Sequence, residues 1–230
     1  METTFISIHD LSDQAITLYT SDSVVDVLGY TPEELVSTSA WDHFHPDELP
    51  LAQHIHGKKI KADKAAVLAY CRIRNKSGEW VGCECCFSIV YDVMIACTSV
   101  YQRGLSSEKR ALEAPLVRRC FSSSPEDPRY HMLSYISTKL TQQVTPTQHE
   151  PRAALFLNRF TRTLTIMYAT SGLKDIVGIP AEEMRGRSFY YCIADNCVQD
   201  AVKCLENAKA NNSMAYLRFW FRDPRLSDEP

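Results

Sequence analysis

The stretch AITLYTSDSVVDVLGYTPEEL, residues 15–35, returns late in the chain as LTIMYATSGLKDIVGIPAEEM, residues 164–184. Gly29 aligns with Gly178, Asp26 with Asp175, Glu33 and Glu34 with Glu182 and Glu183, and Leu35 with Met184, at a constant offset of 149 residues. A period this long exceeds the 20–50 residues of a solenoid unit. It fits two copies of one domain, the first from about Phe5 to Tyr101 and the second from near Ala153 onward.

Each copy reads outward from this phrase in the same order. FISIHD and AITLYT are short, β-branched or aromatic runs bounded by Asp and Ser, which predicts a hairpin. AALFLNRF and TLTIMYAT repeat it. Asp22 or Ser23 is placed to cap a short helix that Gly29 ends. Thr31, Pro32 and Glu34 form a capping box with Pro at the first helical position, which predicts a second short helix. In copy one, AVLAYCRIRNKSGEWVGCECCFSIVYD predicts two strands around the turn Asn75–Gly78, and MIACTSVY predicts a third. The expected class is α+β, one antiparallel sheet with helices on one face. In copy two only Tyr216–Phe221 reads as a further strand. That copy is expected to be truncated, lacking its last two strands, as a fragment or with strands supplied by a partner.

The hairpin, the helix ending in LGYTPEEL, the following WDHFHPDEL and the Gly-turn-Trp hairpin resemble the PAS family. Copy two is similar through GRSFYYCIADN and AYLRFWFRDP. The tandem arrangement is similar to fungal transcription regulators of the white-collar type. The resemblance implies a five-stranded sheet with helices walling a pocket. It also implies a non-enzymatic signalling role, in which the module associates with another PAS-containing protein or with itself. A small-molecule sensor using the first pocket is the alternative. The expected boundaries are residues 1–104 for the first domain, 105–152 for a helical linker and 153–230 for the incomplete second domain.

Composition agrees with a globular protein: 45% hydrophobic and 23% charged residues, with a net charge of -3. That charge opposes chain-wide attraction to nucleic acid or an anionic membrane, and direct nucleic-acid contact is not expected of this segment. No apolar run approaches the roughly 18 residues of a membrane helix. The start, METTFISIHD, is a poor signal peptide, so the expected place is nucleus or cytoplasm. The nine cysteines are then expected as reduced thiols.

Candidate chemistry is sparse. Cys83, Cys85 and Cys86 lack the C-x2-C spacing of structural zinc, and no metal site is expected. His43, His45, His54 and His56 cluster in sequence. His45 reads as a helix-start feature. By the resemblance, His54 and His56 fall where some PAS sensors hold haem, but Gln53, Lys58 and Lys59 beside them predict a solvated helix end. The photoactive PAS phrase needs a Cys where Gly186-Arg187-Ser188-Phe189 has Phe189, so a flavin–thiol adduct is not expected. Non-covalent flavin stays open, and no cofactor is predicted. There is no P-loop, G-x-S-x-G, H-E-x-x-H or G-x-G-x-x-G, and no catalytic residue is assigned. Between the copies, Leu112, Leu116 and Cys120 predict a helical stripe over 107–121, serving as a packed connector or as a coupling helix. Beyond it, Ser122 and Ser124 are possible phosphorylation sites in a turn-rich stretch. YHMLSYISTKL predicts another short helix and TQQVTPTQHEP a loop.

Overall fold

The computed structural model describes residues 3–61, 67–105, 107–113, 152–211 and 215–228. Ser122, Ser124 and the predicted elements around them lie outside the described residues. The chain divides into two units, Met1–Thr147 and Gln148–Pro230.

The first unit opens with the expected hairpin, β1 (Thr4–Asp10) and β2 (Thr17–Thr20). Two short helices follow, α1 (Val24–Leu28) and α2 (Pro32–Leu35), then a 3-10 turn at Ala40–His43 and the longer α3 (Leu49–Lys61). Three strands close it: β3 (Val67–Arg74), β4 (Trp80–Val90) and β5 (Val93–Val100). All pairings are antiparallel, and the order is β2-β1-β5-β4-β3. The last strand therefore lies in the middle, between β1 and β4. This is the expected five-stranded α+β layer.

Local chemistry explains the helix ends. Gly29 stops α1 at φ 77°, a left-handed conformation that costs a residue with a side chain about 1 kcal/mol or more. A Cβ there would also meet Lys76 Cβ at 3.4 Å. The Glu34 carboxylate accepts the Thr31 backbone N–H at 2.9 Å, closing the predicted box at the start of α2. Ser23 departs from expectation. Its hydroxyl donates to the Thr4 carbonyl at 2.9 Å, and α1 has no side-chain cap: the Ser23 backbone is already helical, at φ -62° and ψ -8°, not extended as an N-cap usually is. Phe5, Val24, Leu28, Leu35, Ile73 and Cys83 form the core between helices and sheet.

The second unit repeats the opening. Strands β6 (Leu155–Asn158) and β7 (Thr165–Ala169) form a hairpin, with short helices at Leu173–Val177 and Ala181–Met184 and a 3-10 turn at Phe189–Cys192. A long helix, Asp195–Asn211, follows. Positive φ recurs in register: Ala15 with Leu164, Gly29 with Gly178, Ser37 with Gly186. The bridge Ile16–Ser39 recurs as Thr165–Ser188. The repeat is thus one of backbone conformation and not only of letters.

Residues 216–221 do not form the predicted strand. Phe221 makes one bridge to Ile193, supported by Ala194 N–H to Trp220 O and Arg222 N–H to Cys192 O, both 2.9 Å. A strand needs a ladder, and among the described residues this run pairs with the short 192–194 segment alone. Among the described residues β6 pairs with β7 alone.

Of the predicted linker stripe only Leu112 is described; Leu116 and Cys120 lie outside the described residues. Residues 107–113 are helical, and Leu112 is 73% exposed. The helix is held through its polar side. Ser107 Oγ donates to Glu84 Oε2 at 2.8 Å, and the Arg110 guanidinium pairs with the same carboxylate. Glu84, on the outer face of β4, is left only 2% exposed. No helix of the described residues is long and apolar enough to cross a membrane.

Candidate functional site

The first unit has a partly open cavity of about 180 Å³ between its sheet and its helices. Strand alternation builds two unlike walls. From β3, β4 and β5 come Ala69, Cys71, Ile73, Cys85, Phe87, Met94 and Ala96, a mostly apolar surface. From β1 and β2 come Phe5, Ser7, His9, Thr17 and Thr20, a more polar one. Helix α3 closes the space with Glu48, Leu51, Ala52, Ile55 and His56, and Trp41, His43 and Phe44 complete that side.

The polar wall is internally bonded at its centre. His9 Nε2 lies 2.8 Å from Ser7 Oγ, and its Nδ1 lies 3.4 Å from Thr17 Oγ1. Burial lowers the His9 pKa to about 4, so the ring is neutral at neutral pH. Burial also lowers that of His43, whose ring packs on Tyr30 at 4.9 Å. Burial raises the Cys71 thiol and brings Cys85 up to about 12. Both are therefore protonated and behave as apolar lining.

Three buried atoms on this lining have no protein partner: Thr20 Oγ1, His43 Nδ1 and His56 Nδ1. Buried polar atoms are normally bonded. The His56 ring is otherwise fixed. Its Nε2 stands 3.0 Å from the Ser12 carbonyl, and the ring packs edge-on to Trp41 at 5.2 Å. Trp41 in turn donates from Nε1 to the Asp13 carbonyl at 2.8 Å.

His56 is 4% exposed, so the solvated helix end expected there is corrected for this residue, while His54 is exposed. The signal was present in the spacing. Glu48, Leu51, Ala52, Ile55 and His56 follow i, i+3, i+4, i+7, i+8, one face of a helix. His45 starts α3: its carbonyl accepts from Glu48 N–H and Leu49 N–H, both at 3.0 Å. His43 and His56 reach the cavity; His45 and His54 are not among its lining.

The implied cofactors meet this geometry poorly. At about 180 Å³ the space is smaller than the roughly 300–1,000 Å³ of sites for drug-sized ligands. His56 also commits Nε2 to Ser12, away from any iron. Phe189, at the thiol position of the photoactive phrase, packs on Phe219 at 6.0 Å inside the second unit. The strand thiols lie on two faces, with Cys83 and Cys85 inward and Cys86 outward. No group of three or more His, Cys, Asp or Glu side chains among the described residues is placed to hold a metal ion.

The first unit is thus an antiparallel sheet with its final strand central, roofed by short helices over a largely apolar cavity. Residues 17–97 match the family model described as PAS fold. The first unit accordingly carries the PAS fold over those residues. Its fold is similar to the PAS-B domain of Drosophila melanogaster Cycle with bound ethylene glycol. That pair shares 22% identity over 42% of this chain and 99% of that one, with a TM-score of 0.39. It is also similar to the PAS domain of the Cronobacter turicensis RpfR quorum-sensing receptor in complex with BDSF. There the identity is 11%, over 44% of this chain and 97% of that one, with a TM-score of 0.39. No curated protein matches the chain.

Proposed function

We propose that the first unit is a small-molecule sensor within a signalling protein. The observation that carries this reading is the cavity itself: about 180 Å³ of mostly apolar space between sheet and helices, with three buried polar atoms that have no hydrogen-bond partner among the described residues. A module that only presented a surface would gain stability by filling that space with side chains, because cavities cost stability in proportion to their volume. Native mass spectrometry of the full chain tests it. The expected result is a noncovalent adduct of low mass that is lost on unfolding. A bare chain mass, together with no shift in melting temperature across a library of ring-sized compounds, overturns the reading.

Association with another PAS-containing protein or with a second copy is a second reading. It is favoured by the exposed Tyr70 and Tyr101 on the outer side of the sheet, whose rings meet edge-to-face at 5.1 Å. Exposed aromatic pairs suit a protein interface. A dimer that forms with concentration and is weakened by Tyr70→Ser supports it; a strictly monomeric chain removes it. A role in transcription, a nuclear or cytoplasmic place and a second PAS copy rest on sequence likeness and on the repeated backbone of the second unit.

A further inference from the structure

The sensor reading leaves the chemistry of the ligand open, and the lining narrows it in size, in charge and in hydrogen bonding. Size comes first. An apolar cavity of about 150 Å³ accepts benzene, so about 180 Å³ accepts one six-membered ring with one or two added heavy atoms.

Charge comes next. The one carboxylate on the lining, Glu48, is bonded to Arg72 at 2.6 Å, with Oε2 taking the Arg72 backbone N–H at 2.7 Å. His9 is neutral and the lining thiols are protonated. A charged ligand would lose its hydration and meet no counter-charge. The occupant is uncharged.

Hydrogen bonding decides the functional group. The Ser12 carbonyl can only accept, so His56 Nε2 must carry the hydrogen across their 3.0 Å contact. In the neutral ring Nδ1 is then a bare lone pair. It is buried, it lacks a protein donor, and its ring plane is set by Trp41. Thr20 Oγ1, also unpartnered and 2% exposed, can donate or accept and so does not discriminate. His56 does.

Resting on the sensor reading, we infer that this cavity takes a small uncharged molecule of about one aromatic ring bearing a single O–H or N–H, which donates to His56 Nδ1.

The test titrates the full chain with phenol, anisole, toluene and benzylammonium by calorimetry, with nitrogen-15 spectra of the histidine rings read alongside. Phenol is expected to bind about tenfold more tightly than anisole or toluene, the worth of one buried hydrogen bond. Benzylammonium is expected not to bind. Phenol should move the His56 Nδ1 resonance, a reading that needs no variant. His56→Phe should level phenol, anisole and toluene, and Thr20→Val should keep their order. Toluene, anisole or benzylammonium equalling phenol overturns the inference but leaves the sensor reading standing, since the cavity still takes a ring. So does a phenol preference that survives His56→Phe, or an unmoved Nδ1 resonance. Failure of all four probes to bind overturns the inference, and the sensor reading falls with it if the chain mass is also bare and no ring-sized compound shifts the melting temperature.

Discussion

Lowering the pH should destabilise the first unit through His9. Burial holds this imidazole at about 4 against an ordinary value of 6.5, with repulsion from His56 adding to the effect and attraction from Asp10 opposing it. A base that protonates less readily when folded binds its proton preferentially in the unfolded chain. Stability is then fully present above about 6.5 and is lost as the pH falls towards about 4. At about 1.4 kcal/mol per pH unit the full gap is worth roughly 3 kcal/mol, most of which should be gone at pH 4.5. Against a typical domain stability of about 5–15 kcal/mol this is readily measured. His43, also lowered by burial, pulls the same way. The comparison is therefore with His9→Gln, which cannot titrate and isolates the His9 share. Trp41 and Trp80 lie in the first unit and Trp220 in the second. Urea unfolding followed by tryptophan fluorescence in a Trp220→Phe background thus reports the first unit alone. Equal losses in the parent and the His9→Gln chain between pH 7 and 4.5 would refute the argument. A His9 ring resonance titrating near 6.5 would refute it directly.

Two further outcomes follow from buried groups. Glu84→Gln should keep the Ser107 bond but lose the charge pairing with Arg110, lowering amide-exchange protection over residues 107–113 by about tenfold; Glu84→Ala should lower it further. Unchanged protection in the Ala variant would mean that Glu84 does not hold this helix. In the native chain iodoacetamide should reach Cys197 and Cys204 before Cys83, Cys85 and Cys192. Burial brings those three up to about 11, 12 and 11, so little thiolate is present. Peptide mapping by mass spectrometry reads this, and early labelling of Cys85 would contradict the placement of its thiol.

The sequence carried the parts of the fold that local chemistry dictates. Gly29 and Gly178 announced left-handed stops, Thr31-Pro32-Glu34 announced a helix start, and Asn75–Gly78 announced a hairpin turn. What it hid depends on partners distant along the chain. Glu84 looks like an outward strand residue, which it is; its burial comes from a helix more than twenty residues later. Residues 216–221 alternate as a strand should, yet a ladder needs a neighbour, and among the described residues only 192–194 supplies one. His56 was hidden differently. Gln53, Lys58 and Lys59 beside it weighted the local reading towards solvent, while the Ala52, Ile55 and His56 face gave the better answer. Adjacency in sequence misleads on a helix, because neighbours point about 100° apart.

Strand β4 joins the two regions of the first unit that sequence reasoning missed. Cys85 lines the cavity and Glu84, one residue earlier, holds the 107–113 helix on the opposite face. In a strand those two side chains hang from adjacent backbone units on opposite faces, so a shift of the backbone there moves both. A ligand that shifts the β4 backbone would act on the Glu84 contact as well. The coupling must be reciprocal: whatever the helix gains or loses when the cavity fills, the ligand gains or loses when the helix is released. Glu84→Ala should for this reason alter phenol affinity although Glu84 never touches the cavity, and equal affinities in the two chains would show that the faces of β4 are energetically separate.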